Sequence, residues 1–127
     1  FEKNALLEGS NIDADRVARF AIGQVDDSGC LKQIVEKPDE ETLAAMPRPL
    51  WVNMNCWRLG PSIFDACRVI KPSVRGEYEL PTAIQHVIDV MGEPFHVVQM
   101  HAGVLDLTSR DDIAPVTAKL AGVKVDL

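Results

Sequence analysis

The chain has 127 residues, 46% apolar and 25% charged, with 13 Lys and Arg against 19 Asp and Glu for a formal charge of −6, a composition that supports one buried core of ordinary globular type. Phosphate-backbone binding needs clustered Lys and Arg, so nucleic acid is excluded as an expected partner. No window reaches the ~18 apolar residues of a membrane helix, and residues 1–11 lack the basic-then-apolar layout of a signal, so no membrane partner and a cytoplasmic location are expected.

Residues 1–15, with Gly9, Ser10, Asn11 and Asp13, carry turn formers and little periodicity and read as an irregular lead-in. Phe1 is not an initiator residue, so an upstream segment is expected. Val17–Val25 and Cys30–Val35 are β-rich runs separated by Asp26-Asp27-Ser28-Gly29, which predicts a hairpin with one residue at positive φ. Pro38 cannot donate to a strand ladder and disfavours helix at Lys37, so the chain leaves the sheet after Glu36-Lys37. A short acidic helix is predicted over Asp39–Ala45, stopped by Pro47 and Pro49, then a mostly buried strand over Leu50–Leu59.

A helix from Pro61 to about Ile70 would bury Ile63, Phe64, Cys67 and Val69 or Ile70. The next, from about Leu80 to Met91, aligns Leu80, Ile84, Val87, Ile88 and Met91 and ends at Gly92. Pro94–Met100 and Gly103–Leu107 are strand candidates, and Thr108 with Asp111 would cap a last helix reaching about Leu120. Residues 16–120 thus read as the ordered domain and 121–127 as a C-terminal tail. Strands alternating with helices indicate an α/β fold, and the opening hairpin implies a mixed sheet. Cys30, Cys56 and Cys67 have no C-x-x-C spacing and read as reduced core thiols. His86, His96 and His101 share no metal-ligand spacing and read as surface or half-buried structural residues.

Chemistry is suggested at three places. Glu36-Lys37 at a strand end joins a hydroxyl acceptor to a cation able to hold a phosphate, although a solvated turn has the same composition. Asn53 and Asn55 alternate with Val52, Met54 and Cys56, so both amides would share one face of a strand and need partners from backbone or ligand. Asp106 between Leu105 and Leu107 must be hydrogen-bonded, ion-paired or metal-bound. The closest glycines, Gly23 and Gly29, are six positions apart, which rules out a G-x-G-x-x-G or G-x-x-x-x-G-K phosphate cradle within these residues.

In order, the hairpin, Ile34-Val35-Glu36-Lys37-Pro38, Val52-Asn53-Met54-Asn55-Cys56-Trp57, Lys71-Pro72-Ser73-Val74-Arg75-Gly76-Glu77-Tyr78-Glu79-Leu80 and Leu105-Asp106 resemble the C-terminal half of the sugar-1-phosphate nucleotidyltransferases. The resemblance covers roughly Arg16 to Leu120. It implies a Rossmann-like mixed-sheet layer sandwich, here only the C-terminal portion of that fold, and an enzyme that joins a sugar 1-phosphate to a nucleoside triphosphate with Mg²⁺, releasing pyrophosphate. By position it implies that Glu36 accepts sugar hydroxyls, that Lys37 contacts the sugar phosphate, and that Asn53, Met54 and Asn55 line the sugar pocket. Asp106 would be a Mg²⁺ ligand, and Lys37 and Asp106 the catalytic residues.

The family's amino-terminal half, with its glycine-rich nucleotide loop and a further metal-binding Asp, has no counterpart in these residues, so the isolated chain is expected to be inactive. Asn55 stands where the family commonly has Gly, Thr82 follows Pro81 where a Thr-Asp pair is usual, and Val104 occupies a position that is often aromatic. The alternatives are a non-catalytic sugar-phosphate-binding module and an oligomerisation module with Trp51 and Trp57 in an interface. Sheet edges and apolar faces left open would make the chain a homo-oligomer or a self-associating fragment.

Overall fold

The structure, a computed structural model, describes residues 1–124. Positions 125–127 of the expected tail lie outside it. Helix α1 spans Lys3–Gly9 and begins with the Glu2 carboxylate accepting from the Ala5 N–H at 2.9 Å. The lead-in expected to be irregular is therefore largely ordered: α1 buries Leu6 completely, and a 3₁₀ segment follows over Ala14–Arg19, burying Val17. A seven-residue helix is too short to show periodicity and owes its stability to packing, which local sequence does not display.

Strand β1 (Ile22–Val25) and strand β2 (Leu31–Val35) form the predicted hairpin. Asp26 Oδ1 accepts from the N–H groups of Ser28 and Cys30, and Gly29 takes the positive φ, +80°, that the reversal requires. Helix α2 covers Glu40–Ala45, with Asp39 capping through Thr42 N at 2.8 Å. Strand β3 is only Trp51–Val52. It ends early because Asn53 Oδ1 accepts from Asn55 N at 3.1 Å and Asn55 enters the left-handed region at φ +54°, a turn that Asn side chains favour over continued pairing.

The strand order is β2-β1-β3, antiparallel throughout among the described residues. The sheet is thus not mixed as expected, because Pro94–Met100 and Gly103–Leu107 form no strands. The first of these segments runs beside the start of β2, with the Cys30–His96 bridge, the bonds Leu31 N to Phe95 O and Val97 N to Gly29 O, and Phe95 and Val97 packed against the core cluster.

Apolar side chains pack on both faces of the sheet. On one, Ala21, Leu31 and Ile34 meet Ile63 and Ala66 of helix α3 (Ser62–Val69), and Ala83 and Ile84 of helix α4 (Leu80–His86), together with Val87. Of the expected stripe of α3, Ile63 is buried and Ile70 packs against the same cluster, whereas Phe64, Cys67 and Val69 are exposed and Ala66 is buried in their place. Ala66 is fully buried where α3 meets the sheet. Beyond α4 the chain continues as a π turn over Val87–Met91 and stops at Gly92 in the left-handed region, as predicted. On the other face Ile22 and Val52 pack with Leu6, Ile12, Val17, Met46 and Leu50.

Helix α5 spans Ile113–Leu120. Its approach is capped by Ser109 and Asp112, one residue later than the Thr108 and Asp111 expected. Core thiols are not found: Cys56 and Cys67 are exposed and Cys30 is half-buried beside His96, although all three are free.

Candidate functional site

The register of β1 with both neighbours sets the geometry of the site. Ile22 is opposite Val35 of β2 and also opposite Val52 of β3. Since β1 is antiparallel to each, β2 and β3 run in the same direction and their C-terminal ends emerge at one rim, separated by two strand spacings of ~4.8 Å. The next residues out, Glu36 and Asn53, flank Ala21, and the Asn53 N–H donates to Ala21 O at 2.9 Å. Alternation along the strands turns Glu36, Ala21 and Asn53 to the face that carries α3 and α4.

Glu36 is half-buried at this rim, and burial raises its carboxyl pKa above the ordinary range, with Lys37 acting in the opposite sense. Lys37 itself has φ +45°, a conformation unusual for a bulky residue. The restriction that Pro38 places on it predicts extended backbone, and the observed left-handed turn stores backbone strain where the chain leaves the sheet. Lys37 Nζ lies 3.9 Å from Glu36 Oε1 and 3.9 Å from Glu77 Oε2. Arg75 Nε lies 3.8 Å from the same Glu77 oxygen, and the Arg75 guanidinium also engages Glu79 at the start of α4. Two motifs 40 positions apart therefore meet in one cluster of three carboxylates and two cations. The separate contributions of Arg75, Glu77 and Glu79 were missed from sequence. Their alternation of charged residues, Arg-Gly-Glu-Tyr-Glu, was the available signal.

The three residues expected to line a sugar pocket do not stay together. Asn53 Nδ2 donates to Asn55 Oδ1 at 2.9 Å, so these two amides face each other. Asn55 is exposed rather than buried in a strand, and Met54 packs against the apolar cluster on the opposite face of the sheet.

Asp106 belongs to a second group. Its Oδ2 accepts from Arg16 at 2.5 Å and from the Thr108 hydroxyl at 2.8 Å. Asn11 clamps the backbone there, accepting from Asp106 N at 2.8 Å and donating to Asp106 O at 2.7 Å. The other arm of Arg16 donates to Asp112 Oδ1 at 2.8 Å. Asp112 has a carboxyl pKa lowered to about 2, chiefly because the Ser109 N–H donates to it; burial opposes this, and Arg16, the Ser109 hydroxyl and the Thr108 N–H reinforce it. Glycine makes the approach of the two segments possible. A Cβ on Gly9 would stand 2.7 Å from the backbone of Gly103, and one on Gly103 would overlap Gly9.

Among the described residues, the hydrogen bonds to the Asp106 side chain fall on Oδ2 and none on Oδ1. Mg²⁺ takes one or two protein carboxylates and completes its shell with water and phosphate oxygens. The donor set fits that ion as a one-carboxylate contribution and not as a self-contained site, since no group of three or more His, Cys, Asp or Glu side chains gathers among the described residues. The ion-paired state left open for Asp106 by its sequence context is the one observed, and its partner, Arg16, was not identifiable 90 positions away.

No helix among the described residues is long and apolar enough to cross a membrane. No family model matches the chain. It is similar to a UTP–glucose-1-phosphate uridylyltransferase of Haloferax volcanii, 30% identical over 101 residues that make up 80% of this chain and 39% of that protein. A low-salt glycan biosynthesis nucleotidyltransferase of the same organism is 34% identical over 77 residues, 61% of this chain and 20% of the relative. A glucose-1-phosphate thymidylyltransferase of Streptomyces antibioticus is 36% identical over 70 residues, 55% of this chain and 18% of the relative. The chain spans about two fifths of the length of the first of these proteins and about a fifth of the others. Its resemblance to sugar-1-phosphate nucleotidyltransferases, read from the ordered motifs, is borne out by these relatives.

Proposed function

We propose that this chain is the sugar-binding, C-terminal portion of a sugar-1-phosphate nucleotidyltransferase that converts a nucleoside triphosphate and a sugar 1-phosphate into a nucleoside-diphosphate sugar and pyrophosphate. The observation that carries the reading is the shared rim. Glu36-Lys37 and Asn53 leave the ends of β2 and β3 on either side of β1, and the Arg75–Glu79 loop meets this rim at Lys37. A polar acceptor, a cation and an amide within one rim suit a ligand that is a polyol at one end and a phosphate at the other.

In this reading an oxygen of the sugar phosphate attacks the α-phosphorus of the triphosphate. The new O–P bond replaces the bond to pyrophosphate, which leaves with its electron pair. No protein nucleophile is needed, so the chain's work is alignment and neutralisation of charge. Lys37 holds the sugar phosphate, Glu36 accepts from sugar hydroxyls, and Asn53 with Asn55 supplies amide contacts at the same rim. Asp106 would hold Mg²⁺ through Oδ1, and the ion when bound would neutralise phosphate charge. The nucleotide cradle comes from outside these residues, so the chain alone is inactive, and the apolar side chains it exposes, among them Phe64 and Val90, favour self-association.

The test is pyrophosphate release by the intact protein with Mg²⁺, nucleoside triphosphates and a panel of sugar 1-phosphates. Lys37→Ala is expected to lower kcat/KM by on the order of 10²-fold or more. A rate close to that of the unmodified protein with every sugar phosphate would overturn the assignment.

A further inference from the structure

The cations of the rim converge on one atom. Lys37 Nζ and Arg75 Nε approach Glu77 Oε2 at 3.9 and 3.8 Å, while Arg75 is held from behind by Glu79. A carboxylate oxygen between an ammonium and a guanidinium occupies the position that a phosphate oxygen would take between the same two groups. Glu77 differs from its neighbours in exposure. Its side chain is 61% exposed, whereas those of Glu36 and Glu79 are 20% and 10% exposed. Long contacts made by an exposed side chain are weak and screened by solvent, so they are readily exchanged.

We propose that Glu77 is a displaceable latch: its carboxylate occupies the anion position between Lys37 and Arg75 and yields it to the phosphate of the incoming ligand. The inference rests on Lys37 being a phosphate ligand and adds a regulation of that same site. In the closed state the latch keeps Lys37 from folding fully onto Glu36, since the ammonium is shared equally between the two carboxylates. It also disfavours anions too weakly bound to displace it. A fixed structural carboxylate would instead be buried and closely hydrogen-bonded, as Asp112 is.

Calorimetric titration of the intact protein with inorganic phosphate and with glucose 1-phosphate tests the latch in four forms: unmodified, Glu77→Gln, Lys37→Ala and the double variant. Removing the competing charge is expected to tighten both ligands by about 2- to 10-fold in Glu77→Gln. That gain should vanish when Lys37 is also Ala. If Glu77→Gln binds no more tightly than the unmodified protein while Lys37→Ala weakens binding, the latch is wrong and the phosphate role of Lys37 stands. A gain that survives Lys37→Ala reduces the effect to net charge and overturns the latch. Affinities unchanged by Lys37→Ala in both backgrounds would remove the underlying reading itself. Thermal melts of the four forms check that each is folded.

Discussion

Two charged assemblies in this molecule use the same residue types in opposite ways. Around Arg16, the contacts to Asp106 and Asp112 are 2.5 and 2.8 Å, the side chains are mostly buried, and Asn11, Thr108 and Ser109 complete the hydrogen bonding. At the rim, Lys37 and Arg75 stand 3.8 to 3.9 Å from an exposed Glu77 with much of their own surface in solvent, while Glu36 and Glu79 behind them are mostly buried. Short, buried and saturated contacts hold two distant segments together, whereas long and exposed ones can be exchanged for a ligand. The two clusters therefore differ in how readily their ion pairs are exchanged: those of Arg16 hold the fold, with Asp106 Oδ1 outside them, and those of Glu77 can yield to a ligand.

The sharpest break of this contrast is Arg16→Ala. It leaves Asp106 and Asp112 without their shared counter-charge in a mostly buried setting, and a loss of about 2 to 3 kcal/mol is expected in urea unfolding. A loss below about 0.5 kcal/mol would put the Arg16 group in the same exchangeable class as the rim.

The pH dependence of stability separates the two assemblies by sign. Asp112 has a folded pKa of about 2 against an ordinary 3.8. Its contribution is present above the unfolded value and is lost as pH falls through 3.8 towards 2. Glu36, raised by burial, behaves oppositely: its contribution is full below its unfolded value and is lost as pH rises through the folded one. Melts between pH 2 and 7 should show the acid limb flattened in Asp112→Asn, while Glu36→Gln removes only the smaller decline on the other side. An acid limb unchanged in Asp112→Asn would deny it a holding role.

The smallest effect expected on stability is Lys37→Gly. Glycine accepts φ +45° without strain but has more freedom to lose on folding, so the net change should stay within about 1 kcal/mol. Activity should nevertheless fall as in Lys37→Ala. Loss of more than that stability would show the Lys37 side chain to be part of the fold, and would erase the distinction between the rim and the Arg16 group.

Local sequence was informative wherever a short segment decided its own conformation. The Asp26–Gly29 reversal, the short acidic helix after Pro38, the stop at Gly92 and the departure of the chain at Pro38 were all legible because side chains or missing donors act on the backbone within four residues. The motifs at Glu36-Lys37 and Arg75–Glu79 were visible as strings of residue types, but their meeting was not. Phe64 and Val69 show the limit from another side, since the stripe of α3 depends on which face small Ala66 presents to the sheet.

By itself the sequence determined the hairpin, helices α2, α3 and α4 but not α1, and the order of charged and amide residues that marks a nucleotidyltransferase relative. Only the tertiary structure decided that β2 and β3 end at one rim, that Lys37 and Arg75 share a single oxygen of Glu77, and that Arg16 takes hold of Asp106. The reason is physical. Turns and caps are settled by hydrogen bonds between near neighbours, while an ion pair across 90 positions exists only after the apolar clusters on both faces of the sheet have brought its partners together.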